Sequence, residues 1–127
     1  MNGRKLQECA AARARELPGS ELTHPFGEDW DVYKVHGKVF LLQTATRGEP
    51  IVVLKASPSD ARILREANDD ITPGYHMNKR HWITLHPDGA LDADFVEDLV
   101  TESYLQVVEN LPKKQRPVDP DTFGQRP

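Results

Sequence analysis

Val32-Tyr33-Lys34-Val35-His36-Gly37-Lys38-Val39-Phe40-Leu41-Leu42-Gln43-Thr44, followed after a short break by Ile51-Val52-Val53-Leu54-Lys55, decides the fold class. β-Branched and aromatic residues crowd these runs, which is the composition of strands that pack on a pleated surface. Two connectors, His36-Gly37 and Thr46-Arg47-Gly48-Glu49-Pro50, separate the three runs. Loops so short cannot carry a parallel crossover, so the segment is an antiparallel meander. Its middle strand is apolar on both sides and belongs inside a sheet.

Helical patterns flank the meander. Residues 4 to 17 contain good helix formers with Leu6, Ala10, Ala14 and Leu17 about one turn apart, and Pro18-Gly19 stops them. After the meander, Ser57 can cap a helix, Pro58 suits its first position and Asp60 favours its positive end. Ala61, Leu64 and Ala67 mark that helix's inward side. A last helix starts from Asp92 as cap and carries Val96, Leu99, Ser103, Val107 and Leu111 on one side, supported by Phe95, Val100, Tyr104 and Val108. Between the last two helices, Tyr75 to Met77 and His81 to His86 read as short strands. Phe26 and Trp30 lie in a Pro/Gly-containing loop ahead of the meander and are expected to anchor it to the core.

The residues thus predict an α+β domain of five strands and three helices in the order α-β-β-β-α-β-β-α. Residues 1–111 form the domain. Four prolines between Pro112 and Pro127 make residues 112–127 a Pro-rich basic tail, read as mobile. The chain of 127 residues is long enough to bury a core without disulfides, and its single cysteine, Cys9, reads as a structural thiol. No apolar run approaches the roughly 20 residues of a membrane helix, and the N-terminal residues lead into a polar helix rather than a signal-peptide core. The expected compartment is the cytoplasm, with no membrane partner.

Net charge is −4, which argues against a surface that attracts phosphate everywhere. Seven acids and no Lys or Arg lie between Ile83 and Leu111. Any nucleic-acid contact must therefore be local. The densest chemistry is Thr72-Pro73-Gly74-Tyr75-His76-Met77-Asn78-Lys79-Arg80-His81-Trp82. Pro73-Gly74 predicts a type II turn, and Asn78-Lys79-Arg80-His81 would then sit at the tip of a hairpin. Lys79 and Arg80 could meet phosphates, and Asn78 or Arg80 base edges, with His76, Lys113 and Lys114 as additional contacts. Alternatively the two cations are solvated and Asn78 simply holds the turn. His76, His81 and His86 recur every five residues, a step that changes strand face, so no metal site is expected. No catalytic motif or phosphate-cradling Gly loop appears, and a non-enzymatic protein without cofactor is expected. The competing class is a protein or peptide adaptor, or a dimer, using the sheet face that three helices leave open.

The 72–82 stretch resembles the signature of the MmcQ/YjbR family. Leu17-Pro18-Gly19, His24-Pro25-Phe26-Gly27, Tyr33-Lys34-Val35 before a glycine turn, and Tyr104 through Leu111-Pro112-Lys113-Lys114 look like family positions in family order. The resemblance spans about residues 4 to 116 and leaves out 117 to 127. It implies a two-layer, secretion-chaperone-like fold, a five-stranded antiparallel sheet with three helices on one face, in the same element order as the residues predict. It also implies DNA binding through a double wing, a function carried by analogy of fold.

Overall fold

The computed structural model describes residues 1–124. Elements follow in the order α1 (Gly3–Glu16), β1 (Ser20–Thr23), β2 (Asp31–Val35), β3 (Lys38–Thr46), β4 (Glu49–Lys55), α2 (Pro58–Ala67), β5 (Ile71–Pro73), β6 (Trp82–Leu85) and α3 (Ala93–Glu109), with a 3-10 turn at Lys113–Gln115. The strands make one antiparallel sheet in the order β1-β2-β3-β4-β6-β5. The meander forms as its sequence predicts, with β3 interior. Two helix caps sit where the residues place them, Ser57 Oγ accepting from Asp60 N and Asp92 Oδ1 from Phe95 N, and Asn2 Oδ1 caps α1 by accepting from Lys5 N.

The sheet has six strands rather than five. The added strand, β1, is Ser-Glu-Leu-Thr, whose one large apolar residue, Leu22, is 48% exposed. An edge strand that buries almost nothing leaves no periodic signal; pairing with β2 alone holds it. A second correction concerns the strand expected at Tyr75 to Met77. The partner of β6 is instead Ile71–Pro73, with Thr72 opposite Thr84. Pro73 is tolerated because β5 is an edge strand.

Alternation along the strands builds two apolar layers. Tyr33, Leu41, Val52, Leu54, Ile83 and Leu85 face α1, α3 and Ala61 of α2, forming the main core. Val32, Leu42, Ile51, Val53 and Trp82 form a second cluster on the other face, partly covered by Trp30, Val39, Tyr75 and Met77. That face is therefore not open: loop residues before β2 and before β6 lie across it, and its own apolar side chains are buried.

One irregularity ties α3 to the sheet. The β2–β3 register passes from Tyr33↔Leu41 to Lys34↔Val39, so Phe40 is an extra residue in β3 and its carbonyl falls out of the ladder. Ser103, fully buried on α3, donates its hydroxyl proton to the Phe40 carbonyl and accepts from Lys55 N at 2.8 Å. One hydroxyl satisfies two backbone groups that the bulge would otherwise strand. The adjacent Tyr104, also fully buried, packs edge-on against Phe40 and donates to the Pro18 carbonyl at 2.6 Å, which fixes the exit from α1. The tail, expected to be mobile, sends Val118 and Phe123 against this core, Phe123 within 6.1 Å of the Tyr104 ring. Residues 125–127 of that tail lie outside the described residues.

Two outcomes follow for stability. Ser103→Ala should cost about 1–3 kcal/mol in denaturant unfolding, because it leaves the Phe40 carbonyl and the Lys55 amide unpaired in the interior. Burial pushes the Tyr104 phenol up to about 12 from the usual 10. A group that holds its proton more tightly when folded contributes stability below its unfolded pKa and loses it above, so stability should fall from about pH 10 towards 12. Tyr104→Phe should flatten that alkaline loss while lowering stability at pH 7 by about 1 kcal/mol. An unchanged alkaline slope in the variant would show that other groups carry it.

Candidate functional site

The segment between β5 and β6 starts from a close approach. A Cβ on Gly74 would stand 2.5 Å from the Trp82 Cβ, so only glycine allows the two to face each other. Gly74 N donates to the Trp82 carbonyl at 2.9 Å. The next amide, Tyr75 N, donates to Thr84 Oγ1 at 2.9 Å, while that hydroxyl donates to the Pro73 carbonyl at 3.0 Å. The expected type II turn at Pro73-Gly74 is therefore not formed: glycine is required here for space, and the left-handed backbone falls on His76, at φ 57°. The chain cannot extend as a second strand and folds down on the sheet instead.

Asn78 shapes the far end. Its Oδ1 accepts from Arg80 N at 2.9 Å and its carbonyl from His81 N at 3.3 Å, a side-chain turn that closes on itself. The His81 carbonyl accepts from Ala56 N at 2.9 Å, docking the turn beside the start of α2. Lys79 Nζ reaches back to the Gly74 carbonyl at 3.0 Å, and the Arg80 guanidinium is exposed without a partner among the described residues. Asn78 and His81 thus hold the turn, while Lys79 and Arg80 present charge.

The structure adds two cations that the chain order hides. Arg62 and Arg65 of α2 join Pro58, Ser59, Lys79 and Arg80 around a depression of about 360 Å³. Arg65 Nη1 is buried with no hydrogen-bond partner, an unmet donor in a basic setting. Arg62 is held by Glu66 at 3.0 Å, an exposed pair that screening makes weak. Among the described residues no carboxylate lines the depression itself, although Glu66 is paired with one of its cations. On the other side of α2, Asp60, Ile63 and Leu64 turn towards Leu99 and Glu102 of α3 around a separate groove of about 270 Å³. Helix α2 therefore stands between the cations and the acidic helix. Arg62 and Arg65 share a side of α2 by their i, i+3 spacing, with Arg65 one turn beyond the buried Ala61; only tertiary placement shows that this side meets the loop.

The remaining predicted residues are dispersed. His76 packs with aromatic rings, its centroid 4.1 Å from Tyr75. His86 bridges Thr72 at 2.7 Å and Glu49 at 2.6 Å. Among the described residues, no group of three or more His, Cys, Asp or Glu could hold a metal ion. Lys113 lines a different depression with Arg116, Pro117 and Asp119, and Lys114 is exposed on the same 3-10 turn. Arg116 is occupied, donating to the Leu111 and Glu109 carbonyls at the end of α3. Cys9 is half-buried, donates to the Ala93 carbonyl and has its thiol pushed up by burial and by Glu97 and Asp94, so thiolate chemistry is suppressed.

The YjbR family model matches residues 15–106. Protein YbdF of Escherichia coli O157:H7 is 40% identical over 116 residues, covering 91% of this chain and 95% of YbdF. Protein YjbR of Escherichia coli strain K12 is 36% identical over 113 residues, covering 87% of this chain and 90% of YjbR. The crystal structure of Deinococcus radiodurans protein DR2400 superposes with a TM-score of 0.76 at 34% identity, over 83% of this chain and 80% of that one. A crystal structure from Pseudomonas syringae follows the same fold at a TM-score of 0.63 and 26% identity, over 81% of this chain and 96% of that one. With the family model matching most of the chain and these relatives alike along nearly their whole length, the chain belongs to the YjbR family.

Proposed function

We propose that this chain is a non-enzymatic DNA-binding protein of the cytoplasm, and that the cleft between α2 and the 78–81 turn grips the phosphate backbone. The observation that supports this is the convergence of Arg62, Arg65, Lys79 and Arg80 on one carboxylate-free depression, with α2 between them and the acids of α3. Four cations, one of them paired with the exposed Glu66, form a local attractive field on a chain of net charge −4. Arg65 supplies an unmet donor at its wall, and Arg80 a free fork. Phosphate contacts position a protein without reading sequence, so the cleft accounts for affinity rather than specificity. A protein-binding role has its own support in the α2–α3 groove, where Ile63 is 61% exposed over an apolar floor. The covered second sheet face gives it none.

Fluorescence anisotropy with a labelled duplex over a salt series separates the two. With four phosphate contacts the slope of log K against log salt should be about −3 to −4, with a Kd near 10⁻⁴ to 10⁻⁶ M at physiological salt. The Lys79→Ala/Arg80→Ala pair should reduce the slope by about 2, as should Arg62→Gln/Arg65→Gln. Lys113→Ala/Lys114→Ala should leave it unchanged. Absence of binding at low salt, or an unaltered slope in both cleft variants, would reject the DNA proposal.

A further inference from the structure

The aromatic half of the loop meets the segment ahead of β2 on the other side of the sheet edge. There Asp29, Trp30, Thr44, Ala45, Tyr75 and His76 surround a depression of about 320 Å³. The Trp30 and Tyr75 rings lie within 11° of parallel at 6.1 Å between centroids. His76 is inclined to them by 57° and 58°, closing one side, and Phe26 meets the Trp30 ring edge-on from outside. Left-handed backbone at His76, uncommon for a residue with a Cβ, is what brings its ring beside Tyr75.

Charge in this depression is opposite to that of the cleft. Asp29 lines the depression as an exposed residue: its backbone carbonyl accepts from Thr44 Oγ1 at 2.7 Å, and its carboxylate, open to solvent, has no hydrogen-bond or ion-pair partner among the described residues. Neighbouring Asp31, by contrast, is paired with His24 at 2.9 Å. Ring faces carry negative quadrupole density and attract cations, and an unpaired carboxylate beside them repels phosphate. One carboxylate is too few for a hard metal ion, which takes six or more oxygens. An ammonium is also attracted to a ring face but is compact and strongly hydrated, so it gives up more water to reach one and presents no planar surface to stack. A guanidinium is planar and weakly hydrated, stacks on aromatic faces and presents a fork of N–H donors to a carboxylate.

We propose that this depression binds a guanidinium group, carried by an arginine side chain of a peptide or by a small free molecule. The plane of the group stacks on the aromatic wall while its N–H donors meet the Asp29 carboxylate. The cavity is at the small end of ligand sites, enough for the group and part of its stem. Because it stands on residues outside the cationic cleft, it holds whether or not the chain binds DNA.

The chain has two tryptophans, so its ¹H–¹⁵N spectrum has two indole signals, and Trp30→Phe identifies that of the part-buried Trp30. Probes are L-arginine, agmatine and the blocked peptide acetyl-Gly-Arg-Gly-amide, with lysine and acetyl-Gly-Lys-Gly-amide as controls. Saturable movement of the Trp30 signal is expected with the guanidinium compounds, at a Kd of about 1–10 mM. Lysine compounds should bind at least about threefold more weakly, and Asp29→Asn should lose about tenfold while keeping a native spectrum. His76→Gly, which relieves the left-handed backbone and removes a ring, should also weaken binding. Tighter binding of the arginine peptide than of arginine or agmatine points to a peptide source; the reverse order points to a small molecule. No saturable shift up to about 50 mM, equal binding of the lysine compounds, or full affinity in Asp29→Asn would overturn the proposal.

Discussion

Everything distinctive about the surface of this YjbR-family chain depends on the contact between Gly74 and Trp82. Without a Cβ on residue 74, the two backbones close to hydrogen-bonding distance and Trp82 stays over the second apolar cluster. Any larger residue would push the loop away from the sheet. With the contact made, the loop is held to the sheet at its base, and its two halves are sent in different directions. Tyr75 and His76 go to the aromatic depression with Trp30, while Lys79 and Arg80 go to α2. A single glycine therefore separates a carboxylate-bearing pocket from a cationic one across a handful of residues.

Ser103 plays the corresponding part for the scaffold. The bulge at Phe40 would leave backbone groups unpaired beneath α3, and one hydroxyl meets both. That bond, with the Tyr104 contact to Pro18, fixes α3 relative to β3, β4 and the end of α1. The acidic helix is consequently held on the core face, where α2 screens it from the cations.

Much of this was legible in the residues, and the failures have physical causes. Strands buried on both faces announce themselves, which is why the 32–55 meander was clear; so do side-chain caps, as at Ser57 and Asp92. Strand β1 was silent because it exposes its one large apolar residue, Leu22. The Pro73-Gly74 pair misled because glycine serves two purposes, positive φ and close approach, and a sequence does not say which. An open sheet face was expected because loops that fold over a sheet show no periodicity; Trp30, read as an anchor of its loop, covers part of it together with Tyr75. For the site, Lys79 and Arg80 were visible as a dense cationic pair. Arg62 and Arg65 were not, since their role depends on α2 lying against the 78–81 turn, a contact between segments distant in sequence.

Relatives of 36–40% identity along nearly their whole length share the fold but do not by themselves assign a ligand. The cleft between α2 and the turn is where such an assignment is decided. The most direct measurement is a backbone amide map of the chain titrated with a short DNA duplex at low salt. Shifts gathered in residues 58–65 and 78–81, with the acidic face of α3 unmoved, are the expected result. Shifts centred on the α2–α3 groove or on the aromatic depression, or none at all, would contradict it.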